Sequence, residues 1–193
     1  MSSVVISGDT SGAITIAAPA VAGTYTQTLP MITGTLGTLN SGTAVASTSG
    51  TSIDFTSIPA NVRRITVMFN GVSTSGTSYI LVRLGTSSGI VSTGYASSAA
   101  YCGSNVAGIN TNVGLFACGS QGASDVLSGQ IVISNISGNT WVASGTGAFT
   151  TNVYTYIVGG NSPSLASVLT TVRITTVNGT DTFDAGSINI LYE

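Results

Sequence analysis

The stretch Val62-Arg63-Arg64-Ile65-Thr66-Val67-Met68-Phe69 decides how the chain is read, because polar and apolar residues alternate through it. Ile65, Val67 and Phe69 fall on one side of an extended backbone, and Arg64 and Thr66 on the other. This period of two is that of a half-buried β-strand. Asn70-Gly71 follows, a pair that supplies a hairpin turn. Outward from there, Ser78-Tyr79-Ile80-Leu81-Val82-Arg83-Leu84 reads as a second strand, stopped by Gly85. Further strands are expected over Val113–Cys118, Val126–Ile133, Asn139–Ser144, Asn152–Val158, Val172–Val177 and Ser187–Tyr192. β-Branched and aromatic residues dominate all of them, and helical spacing of apolar residues is nearly absent. The exception is Pro163 to Leu169, where Ser162 or Ser164 can cap a short helix. Many short strands with frequent turn signals predict an all-β fold, an antiparallel β-sandwich of jelly-roll-like form.

Residues 1–48 differ in character. Their β-prone pieces, Val4-Val5-Ile6, Ala13-Ile14-Thr15-Ile16 and Thr24-Tyr25-Thr26-Gln27-Thr28-Leu29, carry little bulk and are separated by Gly, Ala, Pro and Asp. So few large side chains cannot build a core of their own. The segment reads as an extended N-terminal arm that needs a partner surface, with Ile14, Ile16, Tyr25 and Leu29 as its anchoring side chains. Ser41-Gly42-Thr43 and Ser47-Thr48-Ser49-Gly50 read as a flexible join. Residues 49–193 are then the sandwich, an oligomerising domain.

Charge narrows the function. Of 193 residues only 5% are charged: four arginines, no lysine, no histidine and six acidic residues, for a net charge of −2. An ordinary soluble domain has about 25%. A chain without histidine has no Ser-His-Asp triad, no imidazole base and no His-ligated metal. Four arginines do not neutralise the phosphates that a nucleic-acid binder engages. No apolar run approaches the ~18 residues of a membrane-spanning helix, despite a mean hydropathy of +0.47. The N-terminus has neither the positive region nor the long apolar core of a signal peptide. Disorder is disfavoured, since 42% of the chain is hydrophobic. A net charge so near zero promotes association, so self-assembly is the expected state.

The candidate chemistry is sparse. Asp181 and Asp184 lie in a stretch rich in Asn, Gly and Thr between the last two strands. Two carboxylates can serve a glycosidase or hold a hard cation, but Asn, Gly and Asp are also what a hairpin loop uses to fix its backbone. The spacing fits no calcium loop, and turn chemistry is the reading adopted. Arg63 or Arg64 is expected to pair with Asp54, Asp125 or an acidic group on a neighbour. Cys102 and Cys118 read as reduced, small apolar residues, and nothing calls for a metal or a cofactor. Aromatic residues are the better candidates for contacts, since they stack on sugars and anchor interfaces. Tyr95 and Tyr101 fall in a loop-like Gly/Ser/Ala segment and are expected to be exposed; Tyr154 joins them. Trp141, the sole tryptophan, reads first as a core residue and second as a contact.

The wording from Ser7-Gly8-Asp9-Thr10-Ser11-Gly12-Ala13-Ile14-Thr15-Ile16 to Thr28-Leu29-Pro30 and Thr33-Gly34-Thr35 resembles an opening found in tailed-bacteriophage virion proteins, both fibres and surface-decorating proteins. Ser57-Ile58-Pro59-Ala60, Gly71-Val72-Ser73-Thr74-Ser75-Gly76, Ser137-Gly138-Asn139-Thr140-Trp141 and Thr180-Asp181-Thr182-Phe183-Asp184-Ala185-Gly186-Ser187-Ile188-Asn189-Ile190-Leu191-Tyr192-Glu193 are similar to phage fibre-type sequence. The resemblance implies a non-enzymatic, trimeric virion protein with a particle-attached arm and an outward β-rich domain. It would be a short fibre or a capsid-decoration (cement) protein, made in the bacterial host cytoplasm and displayed on the virion surface. Its expected partners are its own copies and other virion proteins. Host-surface glycan is the partner of an alternative reading, in which the chain is an adhesin.

Overall fold

The structure, a computed structural model, describes residues 3–7, 13–17, 37–102, 106–118, 122–151 and 154–193. It divides into two compact units, residues 1–36 and 37–193. In the first, β1 (Ser3–Ser7) pairs antiparallel with β2 (Ala13–Ala17). Val4 is set against Ile16 and Ile6 against Ile14, so four β-branched residues take positions on one face. Ile6 and Ile16 are 55% and 61% exposed. Tyr25 and Leu29 lie outside the described residues.

The second unit is an antiparallel sandwich of two sheets, with no helix among the described residues. The larger, nine-stranded sheet begins at an open edge, β10 (Val106–Thr111), followed by β9 (Ala96–Cys102), β14 (Tyr154–Asn161) and β13 (Thr140–Phe149). It continues through β12 (Leu127–Ser137), β6 (Arg64–Thr74) and β16 (Phe183–Tyr192). The short β3 (Asn40–Ser41) and β4 (Val45–Ala46) both pair with β16. The smaller sheet runs β11 (Leu115–Phe116), β7 (Ile80–Thr86), β15 (Leu169–Thr176), β5 (Ser52–Phe55), with β8 (Gly89–Ile90) beside β7. The chain crosses between sheets repeatedly, from β5 to β6, β6 to β7, β14 to β15 and β15 to β16. That crossing habit gives the sandwich its jelly-roll-like character.

Alternation explains the core. Ile65, Val67 and Phe69 of β6 are buried, as are Ile131 and Ile133 of β12 and Ile188 and Ile190 of β16. They join Ile80, Val82, Leu84, Val172, Ile174, Ile53 and Phe55 of the smaller sheet in one apolar cluster. Each fully buried branched side chain stabilises the fold by about 1.5–3 kcal/mol relative to leaving it in water.

Four local expectations are corrected. Asn70-Gly71 is not a turn: β6 runs straight through it. Three steps from Phe69 to Val72 face two steps on β12 (Leu127 to Gly129), and three from Asn70 to Ser73 face two on β16 (Ala185 to Ser187). The extra residue is a β-bulge, and Gly71 adopts the positive φ of 64° that it requires. The stretch from Pro163 to Leu169 forms no helix, because the Leu165 amide donates to the Asn139 carbonyl in the turn between β12 and β13 instead of back along its own segment. Val113–Cys118 contributes only the two residues of β11. Residues 40–47, read as arm and flexible join, belong to the sandwich. The Gly42 and Ser47 amides donate to the carbonyls of Ile190 and Gly186, and the fully buried Ser47 hydroxyl donates to Ala185. A Ser/Gly-rich segment here completes the edge of β16.

Candidate functional site

Two of the four aromatic candidates stand together. Tyr101 on β9 and Tyr154 on β14 are half-buried, with ring centroids 5.4 Å apart and planes tilted by 54°. Tyr101 pairs in register with Tyr156, two residues on from Tyr154 along β14, which brings the two rings to the same end of the sheet. The other two do not join them. Tyr95 is 3% exposed, and its hydroxyl accepts from the Leu84 amide at 2.8 Å and donates to the Val91 carbonyl at 3.0 Å. Its expected exposure is therefore corrected: the hydroxyl ties β7 to the segment that enters β9. Burial raises its pKa above the ordinary tyrosine value, partly offset by the Leu84 bond and by Arg83. Trp141 is 4% exposed, a core residue beside a 250 Å³ recess also lined by Pro59, Val62, Arg63 and Leu169.

Among the described residues the charged side chains are engaged in holding the fold. Arg64 pairs with Glu193 at one end of the larger sheet. Asp54 pairs not with Arg63 or Arg64 but with Arg173, which lies opposite it in register and donates from Nε at 2.7 Å and from an Nη at 2.6 Å. That bidentate bond raises the Arg173 pKa. Arg83, opposite Arg173 on its other side, donates to the Val113 carbonyl at 2.7 Å. Its pKa is lowered, by burial first and also by Arg173, against the raising influence of Tyr95. Arg63 donates to Asn135 Oδ1 at 2.8 Å. Asp181 accepts from the Ser78 amide at 2.9 Å and from Asn178 Nδ2 at 2.7 Å, and Asp184 accepts from the Ser73 hydroxyl. Both carboxylates thus fix loop and strand ends. The buried Asp125 accepts from the Gly122 amide at 2.6 Å. Cys102 is exposed, Cys118 is buried, and they form no disulfide. Among the described residues no three His, Cys, Asp or Glu side chains cluster as metal ligands would.

What remains is a surface. On the outward side of the larger sheet, one row across seven strands reads Gly108, Ala100, Ile157, Thr146, Gln130, Met68, Asn189. Ile157 is 56% exposed and stands beside an open groove of about 660 Å³ whose lining includes Ser98, Ala100, Gly108, Asn110 and Gly159. Sequence pattern did not single out Ile157, because Thr155-Tyr156-Ile157-Val158 is apolar on both faces and its period cannot say which side is the core. No family model matches this chain, and no curated protein or solved structure is significantly similar to it.

Proposed function

We propose that the chain is a non-catalytic structural protein of a tailed-phage virion, a homotrimeric surface fibre or capsid-decoration subunit joined to the particle through its N-terminal segment. One observation carries the non-catalytic half of this reading: Arg63, Arg64, Arg83, Arg173, Asp54, Asp125, Asp181, Asp184 and Glu193 all make hydrogen bonds or ion pairs that hold strands and loops. Among the described residues no pair of carboxylates is left over for acid–base work. The β1–β2 hairpin supports the attachment half. A two-stranded hairpin by itself is marginal in water, and among the described residues β1 and β2 pair only with each other, Val4 opposite Ile16 and Ile6 opposite Ile14, with no charged residue in either strand. Such a hairpin gains its stability by docking on, or adding to, a neighbour's structure. The resemblance to phage virion proteins supplies the identity of that neighbour.

Deleting residues 1–36 tests this reading. The expected product is a folded sandwich that no longer joins virions; a truncated chain that still decorates particles overturns the anchor.

The Tyr101–Tyr154 pair favours a second reading, adhesion to host-surface glycan, since two adjacent half-buried aromatic rings at one sheet end suit a sugar ring. Under it, purified protein adsorbs to host cells and Tyr101→Ala or Tyr154→Ala abolishes adsorption. Adsorption unchanged in both variants removes the pair from that role.

A further inference from the structure

We infer that the outward face of the nine-stranded sheet is the surface on which a second copy of this chain docks, with Ile157 of one copy entering the groove beside Ala100 and Gly108 of the next. The inference rests on the self-associating structural reading above and adds to it the contact surface.

Charge is the first argument. Among the described residues, the outward positions of this sheet hold charges only at its ends, Arg64 with Glu193 at one and Asp184 with Ser73 at the other. Between them stand Ser98, Ser144, Thr146, Gln130, Val132 and Met68, neutral and mostly small. The smaller sheet of the same molecule is built differently: Arg83, Arg173 and Asp54 stand side by side across three strands on its outward face. An antiparallel sheet that faces water is normally polar outward. In a chain with so few charges, this one places a charged row at the middle of one face and none at the middle of the other. A foreign partner chosen by charge would have nothing to pair with on the neutral face, whereas identical neutral faces meet without like-charge repulsion.

Area is the second argument. Seven full-length strands spaced about 4.8 Å apart, each presenting about seven residues at about 3.3 Å, make a face of roughly 800 Å². That is close to the ~800 Å² that each partner contributes to a stable interface. Shape is the third. Ile157 and the groove lie on one face and adjoin one another, so each copy can give its Ile157 to one neighbour and take the Ile157 of another in its groove, a head-to-tail contact that three copies close into a ring. The adjoining edge strand β10, Val106-Ala107-Gly108-Ile109-Asn110-Thr111, has none of the charges or prolines that hold a neighbouring chain away.

The test is sedimentation velocity on the full chain and on Thr146→Arg, Ile157→Arg and Ile157→Ser. Ser88→Arg, in the turn between β7 and β8 at the smaller sheet, is the control. Near-ultraviolet circular dichroism checks that each variant is folded. The expected result is an oligomeric wild type, dissociation of both arginine variants to single chains, an unchanged Ser88→Arg, and a dissociation constant raised about tenfold in Ile157→Ser, the size of losing one well-packed contact. Ile157→Ser keeps the test open should an arginine variant not fold. If every variant assembles like the wild type, the docking face is elsewhere; the inference fails and the self-association reading stands. If the wild type stays a single chain at high concentration, both fail. If Thr146→Arg is then also excluded from virions, the face's occupant is a different virion protein.

Discussion

The two faces of the larger sheet are built from the same strands by different rules. Along one inner row, Tyr156 of β14 meets Gly147 of β13, Gly129 of β12 and Phe69 of β6. The tyrosine ring covers both glycines: a Cβ at Gly147 would intrude on the Tyr156 hydroxyl, and one at Gly129 would crowd it. The adjacent outer row, from Ile157 through Thr146 and Gln130 to Met68, has no such interlock. Inside, shape is specified to the methyl group. Outside, the strands carry a neutral surface whose shape matters only when something else is pressed against it. One face holds the chain to itself, and the other is the face proposed to meet a copy.

The contrast is sharpest at neighbouring residues of β12. Ile133→Ala empties a fully buried site and is expected to cost about 3–4 kcal/mol in denaturant unfolding. Val132→Ala, one residue away on the outer face, is expected to stay within about 1 kcal/mol in the isolated chain. Equal costs would erase the distinction. Gly147→Ala comes next, with an expected loss of about 2–3 kcal/mol because the added methyl must displace the Tyr156 hydroxyl or the strand. A tolerated alanine would mean that the ring does not sit over that glycine. The smallest effect runs the other way. The Tyr156 hydroxyl is buried without a hydrogen-bond partner, so Tyr156→Phe is expected to be neutral or to stabilise by up to about 1 kcal/mol.

The same phenol carries a pH signature. Burial raises the pKa of Tyr156 and Tyr95 in the folded chain, so the unfolded chain loses these protons first. Their contribution to stability is whole below about pH 10 and declines above it. Thermal melts above that pH should fall less steeply in Tyr156→Phe than in the wild type.

The all-β sandwich was legible wherever one face of a strand is buried. Ile65, Val67 and Phe69 announce β6 because a half-buried strand must alternate, and β12, β13 and β16 are legible for the same reason. Features set by a partner distant in sequence were not. Asn70-Gly71 suits a turn or a bulge equally well, and only β12 and β16 on either side decide for the bulge. Asp54 finds Arg173, 119 residues away, through a register that local pattern does not encode. Tyr95 looked exposed because its neighbours are small, yet those small neighbours let its ring sink between segments. Of the candidate aromatic site, Tyr154 was legible as a strand residue, but Tyr101 read as part of a loop, because the Ala and Ser around it carry no strand pattern and only pairing with β14 makes that segment β9. Ile157 was hidden because an apolar residue on the solvent side of a strand has the same local signature as one in the core.

The bulge in β6 resets parity. Before it, odd-numbered residues point inward, Ile65, Val67 and Phe69; after it the even-numbered Val72 and Thr74 are fully buried, while Ser73 between them keeps some exposure and reaches Asp184. β16 makes a matching switch, from Phe183 to Ile188 and Ile190. Two long adjacent strands therefore change phase at nearly the same level. Removing one residue at Gly71 would turn Val72 and Thr74 out toward solvent while leaving Ile65 to Phe69 in place, so half of one strand would be inverted against an unaltered neighbour.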